Sequence, residues 1–192
     1  MRIFAAVALL ALAGAAFGGY SLGFKQSPVP YYVSDATLYT EGMPMLRFGA
    51  MVSPAFRMEG LLAYDKLSYE EDPGTDEYDM STWAIGGSGY YLVADPANTE
   101  FSFGGQIIYA KTSSETDGVD GPETSAYSIS PLMRIDFAIP GAERFALFTE
   151  FGIHYYSATT TTEGGEQDID ETYSGYRTYA PENILAGAYY IF

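Results

Sequence analysis

The 192-residue chain contains no cysteine, a single histidine, a single tryptophan and only nine lysines and arginines. Without cysteine, four things are excluded: a disulfide-held scaffold, a thiolate metal site, a thiol nucleophile and the modified cysteine of a lipoprotein signal. Cations are scarce beside 25 acids, giving a net charge of −16. Phosphate affinity comes mainly from Lys and Arg, so nucleic acid is not an expected partner. Beyond residue 20 no apolar run approaches the ~18–20 residues of a spanning helix, so a mature chain embedded in a membrane would have to be a barrel. What is present is 47% apolar and 16% aromatic, with 18 Tyr and 21 Gly. This is too hydrophobic for disorder, and the length is that of one domain.

The N-terminus has a positive start at Met1-Arg2, an apolar run from Ile3 to Leu12 and the small residues Ala13-Gly14-Ala15-Ala16. This order predicts a secretory signal peptide over 1–15 and a mature domain over 16–192. An uncleaved anchor is the alternative, because residues 3–20 carry no charge; the glycines in the second half of that stretch count against it.

From Tyr20 onward the periodicity is two, in segments of about ten residues separated by turn chemistry. Strands are predicted over 18–26, 45–53, 56–69, 80–93, 100–111, 127–139, 145–156 and 176–192. In 100–111, Phe101, Phe103, Gly105, Ile107 and Tyr109 alternate with Ser102, Gly104, Gln106, Ile108 and Ala110. Segment 127–139 sets Tyr127, Ile129, Met133, Ile135 and Phe137 against Ser128, Ser130, Arg134 and Asp136. Segment 145–156 sets Phe145, Leu147, Phe151, Ile153 and Tyr155 against Glu150, Gly152 and His154. Pro44, Pro131 and Pro181 count against parts of this pattern, since proline removes a ladder donor.

Connections alternate in length. Short ones fall at Ser53-Pro54-Ala55, 94–99 and 140–143; long ones at 27–44, 70–79, 112–126 and 160–175. The expected fold is therefore all-β, an eight-stranded antiparallel up-and-down barrel with one short-turned and one long-looped end. The long loops hold 17 of the 25 acids and no Lys or Arg, so nearly all the net charge is expected at one end.

Period two does not say which face meets water. A secreted lipocalin-like barrel would enclose a ligand with its apolar face, whereas a transmembrane barrel turns that face to lipid. Small residues on the polar faces (Gly49, Ala63, Ala84, Gly86, Ser88, Ser102, Gly104, Gly152, Gly187) suit a narrow interior, and Tyr and Phe near strand ends suit interfacial girdles.

The C-terminus, Leu185-Ala186-Gly187-Ala188-Tyr189-Tyr190-Ile191-Phe192, resembles the terminal insertion signal of bacterial outer-membrane barrels at Gly187, Tyr190 and Phe192. Leu185 departs from it, at a position that is usually polar. The whole mature chain resembles the small OmpA-like and OmpX-like eight-stranded proteins in architecture, and in sequence at this last strand. The resemblance implies residence in the outer membrane in contact with its lipid, and handling by the barrel-assembly machinery in transit, with Tyr190 and Phe192 recognised there.

With the apolar faces outward, the inward set is Lys25, Arg47, Arg57, Glu59, Asp65, Arg134, Asp136, Glu150 and His154. An eight-stranded interior is only wide enough for side chains, so these charges are expected to form a salt-bridged lumen plug. A narrow ion or small-solute channel is the rival. His154 is expected to bond Glu150 as a core histidine. The His and Ser arrangement of outer-membrane lipid A deacylases and palmitoyltransferases is absent, so no catalytic residue and no cofactor are assigned; a lipid-modifying enzyme centred on His154 is the last alternative. Asp117, Asp120 and Glu123, and Asp168 and Asp170, supply the oxygen ligands calcium prefers, but neither segment has EF-hand spacing; a solvated acidic loop is the competing reading. Divalent cations are thus candidate loop ligands, and the expected state is a monomer with a structural or surface-interaction role.

Overall fold

The structure, a computed structural model, describes residues 19–28, 32–34, 37–39, 42–70, 77–96, 98–162, 168–178 and 185–192. The expected signal peptide, 1–15, lies outside the described residues, as do Asp35, Glu41, Glu71, Asp72, Asp76, Glu163 and Glu166. The strands are β1 (Tyr20–Pro28), β2 (Tyr32–Ser34), β3 (Thr37–Tyr39), β4 (Gly42–Ser53), β5 (Phe56–Glu70), β6 (Glu77–Ala94), β7 (Thr99–Thr116), β8 (Val119–Ile139), β9 (Ala142–Thr162), β10 (Ile169–Thr178) and β11 (Leu185–Ile191).

Neighbours in sequence pair antiparallel from β4 to β9, β1 pairs with β4, and β11 joins β9 back to β1. The sheet is thereby closed. β10 and β11 both lie along β9, on its residues 153–162 and 145–150, so they share the eighth wall position. Within the expected strand 176–192 the described residues pair with β9 over 176–178 and 185–190, and pairing along β9 begins seven residues before the expected start, at Ile169. β2 and β3 form a separate ribbon within the segment expected as a loop.

Turn chemistry explains the short end: Pro54-Ala55 links β4 to β5, and Pro140-Gly141, with Gly141 at φ 81°, links β8 to β9. At the other end the expected loop 112–126 does not exist. β7 and β8 run on through it and turn at Asp117-Gly118, whose φ values of 53° and 75° mark a tight hairpin. β9 likewise continues to Thr162, and β6 starts at Glu77. The barrel wall therefore rises well past the last lipid-type alternation as a sheet with polar residues on both faces.

The faces are inverted relative to a soluble protein. Ile107 is 60% exposed while its neighbour Gln106 is 1% exposed, and Phe103, Tyr127, Ile129, Met133, Leu147 and Ile153 all point outward. Ser102, Ser128, Ser130, Arg134, Asp136, Glu150 and His154 are buried within. An outward aromatic row, Tyr64, Trp83, Tyr109, Tyr127, Tyr155 and Tyr176, carries ring pairs at 5.1–6.2 Å. Tyr91, Phe137, Phe145 and Phe192 lie toward the short-turned end. On β6 the stretch from Trp83 to Tyr91 matches the roughly 9–11 tilted residues that cross a hydrocarbon core. A closed sheet with an apolar exterior between aromatic rows is a transmembrane β-barrel, the architecture of small outer-membrane proteins, and this places the chain in an outer membrane. A lipocalin-like interior is ruled out, because the apolar face does not line the lumen.

Glycine has two distinct roles in this wall. A Cβ on Gly104 would run into the Gly89 carbonyl and the Tyr90 ring, whereas one on Gly60 would meet nothing within 4 Å. Gly104→Ala is therefore expected to cost about 1–3 kcal/mol through overpacking. Gly60→Ala is expected to leave stability unchanged or slightly raised, and urea unfolding of both variants in detergent checks the contrast.

Candidate functional site

The lumen is built in layers, because cross-strand partners share a face and a level. Nearest the long end, Thr82, Thr112, Thr124 and Thr160 stand side by side on β6 to β9, with hydroxyl pairs Thr82–Thr112 and Thr124–Thr160 at 2.9 Å. The next layer is alanine on five adjacent strands: Ala63, Ala84, Ala110, Ala126 and Ala158, all buried. Small side chains here leave room for Met45, Leu61 and Ile108 to pack against them.

Below these layers lies a continuous ion-pair chain. Lys25 on β1 meets Glu150 on β9 at 2.6 Å, and Tyr90 on β6 donates its hydroxyl to the same carboxylate at 2.6 Å. Arg134 on β8 contacts Glu150 at 3.4 Å, Glu59 at 2.6 Å and Asp136 at 2.6 Å. Glu59 also holds Arg47 of β4 at 2.6 Å. Asp136 continues the chain to Arg57 at 3.1 Å, and Arg57 reaches Glu100 at 2.6 Å. The Arg134 guanidinium lies 3.7 Å from the Phe148 ring centre and that of Arg47 lies 4.2 Å from Tyr189, so aromatic faces cover what carboxylates do not. Four cations face four carboxylates across the barrel, and the links between β9 and β6 and between β8 and β5 fill its width.

Of the nine residues expected in the lumen, Asp65 is not in this chain: it lies exposed toward the long end of β5, beyond the level of Ala63. Glu100, whose side chain is 39% exposed, takes the eighth charged place instead. His154 is buried, but its Nδ1 sits 2.6 Å from Ser130 Oγ and its ring stacks on Tyr156. The expected bond to Glu150 is out of reach, because residues four apart along one strand are separated by about 13 Å, and that carboxylate engages Lys25, Tyr90 and Arg134 instead. Tyr90 and Tyr189 entered no sequence expectation about the lumen. Their alternation with outward Tyr91 and Tyr190 was the available signal.

At the C-terminus, Tyr190 and Phe192 point outward with rings 5.3 Å apart, and the Phe192 N–H donates to the Tyr20 carbonyl at 2.9 Å. Gly187 lies against Phe148 and the Phe24 carbonyl.

Among the described residues, the acids outside the lumen sit mainly on the strand extensions and beside them. Asp79, Glu115 and Asp120 are direct cross-strand neighbours on β6, β7 and β8. Lys66 binds Asp79 at 2.8 Å and Lys111 binds Glu123 at 2.7 Å. The hydrogen bond from Lys66 holds the Asp79 carboxyl below its usual range. Asp117 forms the hairpin tip, Asp168 is exposed before β10, and Asp170 accepts from the Thr161 hydroxyl at 2.7 Å. Among the described residues, no three acidic or histidine side chains gather as metal ligands would.

No protein-family model and no curated protein matches the chain. Solved structures with similar shape include the attachment invasion locus protein Ail of Yersinia pestis (12% identity, TM-score 0.44, 91% of this chain and 97% of that one). Neisserial surface protein A is another (15%, 0.48, 91% and 94%), as is a major outer membrane protein of Thermus thermophilus (15%, 0.47, 91% and 98%). At these values the likenesses carry nothing about this chain's partners.

Proposed function

We propose that this protein is a closed outer-membrane barrel with a structural and surface-interaction role, exported on residues 1–15 and performing no chemistry of its own. The observation that carries this reading is the ion-pair chain from Lys25 to Glu100. It is neutral, spans the lumen and leaves its charges paired, which is how charges persist in an interior of this width. Above it the wall continues as an acidic sheet extension suited to contact with cationic surfaces or to keeping the extracellular end hydrated.

The Ser130–His154 pair has the spacing of a nucleophile and base, yet both side chains are only 1% exposed, so substrate has no approach to them. Planar-bilayer recording tests the closed lumen. The protein is expected to give no open events, and regular single-channel steps would favour the narrow channel instead.

Tyr190 and Phe192, outward at the strand end, fit recognition by the assembly machinery. Phe192→Ala is expected to slow assembly in cells several-fold in pulse-chase while leaving refolding of the purified protein into detergent unchanged. Equal slowing of both would assign Phe192 to folding alone.

A further inference from the structure

A groove of about 730 Å³ crosses the outside of β5 to β8, in the middle of the lipid-facing belt. This is within the roughly 300–1,000 Å³ of sites that hold small molecules. Its floor is Gly87, then Gly89 opposite Gly105, which is in turn opposite Pro131. Ile85, Tyr109 and Ile129 rise around it.

The fold does not require glycine at two of these positions. For a Cβ at Gly87 or Gly105 the nearest atom is a carbonyl oxygen at 3.5 Å, an ordinary contact. Gly89 differs, because the Phe56 ring covers it. Strand propensity and surrounding hydrocarbon both favour larger apolar residues on this face. Glycines kept inside strands against that preference mark close approach by a ligand or another backbone.

We propose that this groove seats one acyl chain of a membrane lipid against the exposed glycine backbone, as a bound lipid distinct from the exchanging layer around the barrel. The proposal rests on the membrane reading above. The occupant is hydrocarbon because the groove is continuous with the hydrocarbon-facing belt, its walls are apolar and its floor is backbone already paired within the sheet. A second copy fits poorly, since a two-fold contact here would set one concavity against another.

The test is native mass spectrometry of the protein extracted in mild detergent from membranes of phosphatidylethanolamine and phosphatidylglycerol. Wild type is expected to retain one phospholipid. Gly87→Leu/Gly105→Leu, which fills the groove where a side chain has room, is expected to lose it while keeping the heat-modifiable gel shift of a closed barrel. Ala186→Leu, exposed on β11 across the barrel, is expected to keep the lipid. Equal retention in the double variant, no retained lipid in wild type, or a wild-type dimer that the double variant dissociates would each overturn the proposal. Wild-type protein recovered without detergent would instead overturn the membrane reading beneath it.

Discussion

Replacing Arg134 with methionine is expected to lower the unfolding free energy by about 3–5 kcal/mol, the usual cost of removing one partner from a buried ionic network. Arg134 touches Glu59, Asp136 and Glu150, so its loss leaves three carboxylates with only Lys25, Arg47 and Arg57 at the edges of the cluster. Methionine keeps most of the apolar contact with Phe148, which separates loss of charge from loss of packing. Adding Glu59→Gln should recover part of the loss, because it removes one uncompensated buried charge, and residues in one network couple rather than add. Urea unfolding of the refolded barrel measures both variants. If Arg134→Met alone cost less than about 1 kcal/mol, as an exposed pair would, the plug would not be the buried network described.

The second large effect is on the outer face. Ile107→Arg puts a cation near the middle of the belt and is expected to cost about 2–4 kcal/mol in a bilayer. Val119→Arg, equally apolar and exposed but next to the hairpin tip beyond the aromatic row, is expected to change stability by less than about 0.5 kcal/mol. Folding titrations into lipid vesicles distinguish the two sites. A soluble exterior would tolerate both substitutions alike.

Much of the wall is legible in the sequence because a narrow barrel in lipid forces strict alternation. Phe103 and Gln106, or Met133 and Arg134, can be assigned to opposite faces from their neighbours alone. The alternation stops reporting where both faces meet water. Thr112, Ser113, Ser114 and Glu115 are all polar, so a continuing strand there reads as a loop, and only the Asp117-Gly118 pair signals that the connection is a hairpin. The stagger between strands is not written locally either. Asp65 and Glu59 share a face of β5, yet only Glu59 reaches the level of Arg134, while Glu100 at the far end of β7 reaches Arg57. Which hydroxyl His154 finds depends on the same stagger, since Ser130 comes level with it from β8. Tyr90 and Tyr189 were hidden by chemistry of another kind: a tyrosine serves an aromatic girdle or an ionic lumen equally well, and only its strand parity decides.

The central claim is that the apolar face meets lipid and the polar face fills the lumen. The absence of native cysteine makes single-cysteine spin labels at positions 103 and 106 straightforward, each introduced alone into the protein in phospholipid vesicles. The expected result is a mobile label at Phe103→Cys with high collision rates to oxygen and low rates to a water-soluble nickel complex, and an immobilised label at Gln106→Cys protected from both. A label at 103 protected from oxygen, with one at 106 open to lipid or water, would contradict it.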